Sequence, residues 1–91
     1  IVFCNASTSL GTENSAPNIS DANAAIVLGH VPITAADYSD LGGCSVATVR
    51  NVGLMLKAAA GATSIWVAAI SRDAKTYSAA GLKLKIGVMR N

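Results

Sequence analysis

Leu82-Lys83-Leu84-Lys85-Ile86-Gly87-Val88-Met89 ends the stretch, residues 51–89, whose reading decides the fold. Leu82, Leu84, Ile86 and Val88 share one parity, and Lys83, Lys85 and Gly87 hold the other. A period of two residues is the mark of a strand with one buried and one wet face. Upstream, Ser64-Ile65-Trp66-Val67-Ala68-Ala69-Ile70 is apolar on both parities, between Gly61 and Arg72-Asp73. It predicts a strand buried on both faces. Together the two stretches predict an antiparallel sheet.

The segment that leads into this sheet is ambiguous. As a helix, 45–60 would be capped by Ser45 and ended by Gly61, with Val49, Val52, Leu56 and Ala59 on one face. Gly53 and three valines weigh against that reading, because all are poorer helix formers than Ala. As a strand, Val52, Leu54 and Leu56 alternate with Asn51, Gly53 and Lys57, and this reading is preferred. The expected fold is mainly β, with strands at 51–57, 64–71 and 82–89. The alternative is an α+β fold with a helix at 45–60 packed on a C-terminal hairpin.

The first half reads differently. Ile1-Val2-Phe3-Cys4 is a short apolar run, expected as an edge strand or as an anchor into a neighbour. Residues 5–21 are rich in Asn, Ser, Thr, Gly and Pro and predict an extended polar arm. Asn5-Ala6-Ser7 and Asn18-Ile19-Ser20 fit the glycosylation acceptor pattern, which a polar loop of this composition also produces by chance. Ala24-Ala25-Ile26-Val27-Leu28 reads as a strand, or as a short helix capped by Ser20 or Asp21. Thr34 to Leu41, capped by Thr34 and closed by Gly42-Gly43, predicts one or two helical turns. The chain thus divides into an arm (1–21), an acidic connector (22–45) and a basic β-rich core (46–91) within one domain, since 91 residues leave no room for a second.

Charge is the sharpest feature. Residues 46–91 hold seven bases (Arg50, Lys57, Arg72, Lys75, Lys83, Lys85, Arg90) and one acid (Asp73), a net +6. Residues 1–45 hold Glu13, Asp21, Asp37 and Asp40 and no base, a net −4. Asymmetry of this kind points to partners. It fits an acidic segment folded over its own sheet, acidic arms laid on a neighbouring subunit, or a basic face meeting an anionic partner. Nucleic acid fits poorly, given a net +2, no basic cluster beyond Lys83/Lys85 and few aromatic residues.

The composition speaks in the same direction. Hydrophobic residues make up 52%, but much of that is Ala, so the core should be thin. Only 13% are charged, against roughly 25% in ordinary soluble domains, so part of the surface is expected to be covered by another subunit. No membrane span and no signal peptide are expected: no apolar run reaches 18 residues, and no basic stretch precedes an apolar one. Beginning at Ile1 without a Met, the sequence is expected to be either what remains after a leader is removed or a fragment.

Residues for catalysis are wanting. His30 has no Ser, Cys or Asp in a recognised motif with it. Asp37 and Asp40 lie at i, i+3, a spacing that suits turn capping or a basic neighbour better than a glycosidase pair. The glycines form neither GxGxxG nor a Walker pattern. Cys4, Cys44 and His30 make a poor zinc set. A Cys4–Cys44 disulfide, in an oxidising setting, or two buried free thiols are the expectations for the cysteines. Met55 and Met89 read as filler, and Trp66 as the central core aromatic, with a sugar-stacking platform as the lesser reading. No enzyme activity, cofactor or metal is expected.

The run Val52-Gly53-Leu54-Met55-Leu56-Lys57, Ala58-Ala59-Ala60-Gly61, Ser64 to Ile70, Thr76-Tyr77 and Leu82 to Val88 resembles small virion proteins of tailed bacteriophages, of the capsid decoration (cement) and head-fibre-base type. The resemblance lies in an Ala/Gly/Thr-rich, charge-poor style ending in short alternating strands. It implies an oligomer on the capsid surface of the virion that bridges neighbouring shell proteins, and it carries over no residue roles. The interface residues expected from charge and apolarity are Ile1, Val2, Phe3, Asp37, Asp40, Lys83, Lys85 and Arg90. The alternative function is a secreted, extracellular or surface-borne module that binds glycans or proteins through Trp66, Tyr38 or Tyr77.

Overall fold

In a computed structural model, which describes residues 1–12, 15–73 and 80–89, the chain is mainly β. Its elements in order are β1 (Val2–Cys4), α1 (Asp21–Ala24), β2 (Val27–His30), a 3-10 turn (Ala35–Asp37), β3 (Tyr38–Asp40), β4 (Ser45–Ala47) and β5 (Trp66–Ala68). They form a three-stranded antiparallel sheet of order β2-β1-β5 and a two-stranded sheet β3-β4.

The run Ile1 to Cys4 is the centre of the larger sheet, which corrects its expected place at an edge. Four apolar residues in succession offer apolar side chains to both faces, which suits a strand with neighbours on both sides. Against β5, Val2, Phe3 and Cys4 pair with Ala68, Val67 and Trp66. Against β2, Val2 pairs with His30, Phe3 with Gly29, and Cys4 with Val27, so Leu28 is the extra residue of a bulge. The ladder continues at each end: Val31 donates its N–H to Ile1 O at 2.8 Å, and Asn5 donates to Ile26 O at 2.9 Å. Val2, Phe3 and Cys4 are the only buried hydrophobic residues among those described.

The short helix and the strand expected around 24–28 both exist, one after the other. Ser20 caps α1, accepting the Asn23 N–H on its side-chain oxygen at 3.3 Å. The turn at 35–37 also forms, started at Thr34, but it ends at Asp37 because Tyr38 has already turned extended, with φ −91° and ψ 136°. Gly42-Gly43 therefore closes a hairpin and not a helix. Asp40 pairs with Ser45, and Leu41 donates to Cys44 O at 2.9 Å, which leaves the two glycines as the loop. Gly42 has φ +86°, the positive angle that a two-residue hairpin loop requires at its first central position.

Four further expectations are corrected. No strand forms at 51–57, nor a helix across 45–60; β4 takes only Ser45–Ala47. Asn51 (φ 55°) and Gly53 (φ 61°) both sit in the left-handed region, which interrupts a strand and a helix alike. The 64–71 strand shrinks to β5 and is an edge, so Trp66 is 52% exposed where a both-faces-buried strand would hide it. Residues 82–89 form no strand and are exposed throughout, and no strand among the described residues pairs with them. Residues 5–21 do not extend as an arm: Asn18 donates to Leu10 O at 2.9 Å and returns the chain on itself. Glu13, Lys75, Thr76, Tyr77 and Arg90 lie outside the described residues.

The glycine pair separates backbone strain from packing. A methyl group at Gly42 or Gly43 would meet nothing within 4 Å. Gly42→Ala should therefore destabilise the hairpin by about 1 kcal/mol through its positive φ alone. Gly43→Ala should cost clearly less; equal losses in chemical denaturation would refute the turn assignment.

Candidate functional site

The expected interface residues do not come together as one patch. Val2 and Phe3 are 8% and 7% exposed inside β1, so they serve the chain's own core and are not available to a neighbour. Ile1 is half-buried beside Val31. Asp40, Lys83 and Lys85 are exposed, and Asp37 lies half-buried at the end of the 3-10 turn. The thiols are free, with Cys4 buried in β1 and Cys44 exposed at the hairpin turn. His30 is exposed at the end of β2.

The two acidic residues have local work. Asp37 Oδ2 accepts from the Thr34 backbone N–H at 2.7 Å and from the Thr34 hydroxyl at 2.8 Å. The Asp37 backbone N–H donates in turn to Thr34 O at 3.1 Å. Asp40 Oδ1 accepts from the Gly42 N–H at 2.9 Å and so steadies the hairpin loop. Hydrogen bonds to the ionised form favour it, and Thr34, through its backbone first and its hydroxyl second, holds the Asp37 carboxyl below its ordinary value of 3.8.

What dominates the surface is exposed apolar area. On the two-stranded sheet Tyr38 is 48% exposed, Leu41 64% and Val46 43%. From 82 to 88 the values for Leu82, Leu84, Ile86 and Val88 are 55%, 49%, 45% and 66%. Scattered single apolar residues on a surface need no explanation, but contiguous ones mark places where something docks. The total accessible area is 7823 Å², against about 4,900 Å² for a compact monomer of this size. The radius of gyration is 14.6 Å, against about 12 Å for a compact chain of this length.

Two shallow hollows complete the surface. One, about 80 Å³, lies between β5 and the start of the polar loop and is lined by Trp66, Val67, Thr8 and Leu10 among others. The other, about 240 Å³, lies between His30-Val31-Pro32 and Val49 to Val52. The second is lined by His30 and Arg50 and the first by Cys4, and no cluster of three or more His, Cys, Asp or Glu stands together among the described residues. No helix among them is long and apolar enough to cross a membrane. Comparison with protein-family models, curated proteins and solved structures finds no match.

The parity of 82–88 was legible in the sequence, and so was its charge. The β3-β4 hairpin was missed, although two short runs flanking Gly42-Gly43 carry the usual hairpin signature.

Asp37 supplies a pH test. A carboxyl whose pKa is depressed on folding stabilises the turn above the unfolded value and ceases to do so as pH falls through the folded one. The Thr34–Asp37 turn should hold above pH 3.8 and loosen below it. Asp37→Asn should abolish that acid limb, read from the Thr34 amide proton by NMR titration.

Proposed function

We propose that this chain is a non-enzymatic structural subunit that is completed by association, of the capsid-decoration or cement kind that its composition resembles, on the surface of a virion. The observation that carries the reading is the exposed apolar surface set against a core that, among the described residues, is Val2, Phe3 and Cys4 alone. A core of three residues offsets little of the conformational entropy of ordering a chain of 91. Covering the exposed Leu, Ile and Val side chains supplies what is missing, at about 25 cal/mol per Å². The low charge content, 13%, supports the same reading, since a surface meant for water is usually better supplied. The separation of −4 from +6 along the chain would then set the orientation of neighbours rather than their affinity.

Light scattering of the purified chain at low and high salt tests this. The expected result is a mass above that of the monomer, falling as salt screens the opposed charges. A salt-insensitive, stable monomer would overturn the reading.

A second reading has one observation in its favour. Trp66 is half exposed beside the hollow that Thr8 and Leu10 help to line, a position open to a sugar ring or an apolar side chain. A glycan-binding module of this kind predicts a shift or quenching of Trp66 fluorescence when oligosaccharides are added. An emission unmoved by sugars leaves assembly as the function.

A further inference from the structure

We infer that the partner covering residues 82–88 is a second copy of this chain, whose β3 edge receives the segment as an added strand. The inference rests on the assembly-subunit reading and names the two surfaces that meet. Residues 82–88 alternate strictly and are all exposed. No residue from 82 to 89 has a positive φ, Ala80 at φ 60° being the last before them. The segment therefore has the pattern of a strand and lacks only a ladder to join. Main-chain pairing at an exposed sheet edge is an established way for one chain to capture another, and on β3 the groups left for it are the Tyr38 carbonyl and the Asp40 N–H and carbonyl, since the Tyr38 N–H donates to Ala35 O.

The hairpin has two unlike faces, and both match. Register pairs Tyr38 with Ala47, Ser39 with Val46, and Asp40 with Ser45. Alternation then puts Tyr38, Asp40 and Ser45 on one face, and Val46 with Leu41 on the other. The first face carries Asp40, the one acid of the two strands, beside Tyr38, Ala47 and Ser45, and the second carries the exposed Leu41 and Val46 beside Ser39. The donated segment is divided in the same way, with Lys83 and Lys85 on one side and Leu84 and Ile86 on the other. Laid beside β3, it places its lysines on the face of Asp40 and its apolar row on the face of Leu41 and Val46. A slip of one residue would set Lys83 and Lys85 against Val46, so the match selects the register. Residues 1–45 contain no base to compete for Asp40.

Reciprocal donation between two copies makes a closed two-fold pair.

Charge reversal tests the pairing in the full chain. Lys83→Glu with Lys85→Glu should weaken self-association at least about tenfold by light scattering. Asp40→Lys should weaken it similarly, with Asp40→Asn as the control that keeps an acceptor for the Gly42 N–H. Mixing the Lys83→Glu/Lys85→Glu chain with the Asp40→Lys chain should restore both contacts, one with its charges reversed and one as in the wild type, and recover association. Independently, Ser39→Cys chains mixed with Leu84→Cys or Ile86→Cys chains, all in a Cys44→Ser background, should oxidise to a mixed dimer. If the wild-type chain associates while the reversals change nothing and no mixed dimer forms, the surfaces named here are wrong and the assembly reading stands. If the wild-type chain stays monomeric, both fall. A disulfide formed within a single chain carrying both cysteines, with no mixed dimer, would show that the segment docks on its own hairpin and would overturn the inference.

Discussion

The larger sheet of this chain depends on one strand having neighbours on both edges. β1 is three residues long, and alone it would expose its whole backbone to water. It is buried because β2 arrives from 25 residues along the chain and β5 from more than 60, each supplying a row of hydrogen bonds and a row of side chains. The closure entropy of such loops grows only slowly with their length, so the distance to β5 is tolerable. The requirement is that all three strands meet at once. Removal of either neighbour would expose Phe3 and Cys4, and with them the only core among the described residues. The bulge at Leu28 belongs to the same constraint, because it lets β2 follow β1 to Ile26 while the chain turns out of α1.

A sheet so short limits what the remainder can do. The second sheet joins β3 to β4 and has no third strand on either side. Isolated two-stranded hairpins are marginal in water. Here the hairpin is held by local devices: the reciprocal bonds between Thr34 and Asp37 at its entry, and the Asp40 to Gly42 bond at its tip. Local devices fix a shape but bury no area, which is why Leu41 and Val46 remain open. The abundance of Ala has the same consequence elsewhere, since methyl side chains cover too little surface to seal a core.

The sequence carried the local features of this structure better than its pairing. Thr34 and Ser20 were legible as caps because a cap is decided by a side chain and a backbone group three residues away. The alternation at 82–88 was legible because parity is local too. What could not be read was which segments lie side by side. Ile1 to Cys4, expected as an edge strand or as an anchor into a neighbour, reads equally well as a centre until its neighbours are known. Trp66 looked like a core residue because its flanks are apolar on both parities, yet burial on two faces needs strands on two sides, and β5 has one. Asn51 is the hardest case. Nothing in the residues announces that an Asn will take a left-handed conformation, although Asn tolerates it better than most, and that one angle ends both a helix and a strand through 45–60.

The charge segregation gains a physical meaning from these placements. Were it only a matter of neutralising a net charge, acids and bases could be mixed along the chain with equal effect. Separated by half-chain, with Asp40 on the hairpin and Lys83 and Lys85 on the terminal segment, they can meet only if those two pieces do. Among the described residues the segment pairs with no strand of its own subunit, and the proposed exchange supplies one from a second copy. A single added strand between two chains is weak. In a two-fold pair, however, the first contact holds the second donor near the second acceptor, at an effective concentration on the order of millimolar for a short tether. Each contact then strengthens the other without any new interaction. In the proposed exchange, reciprocity is what would let a chain whose described core is Val2, Phe3 and Cys4 gain stability from a shared sheet.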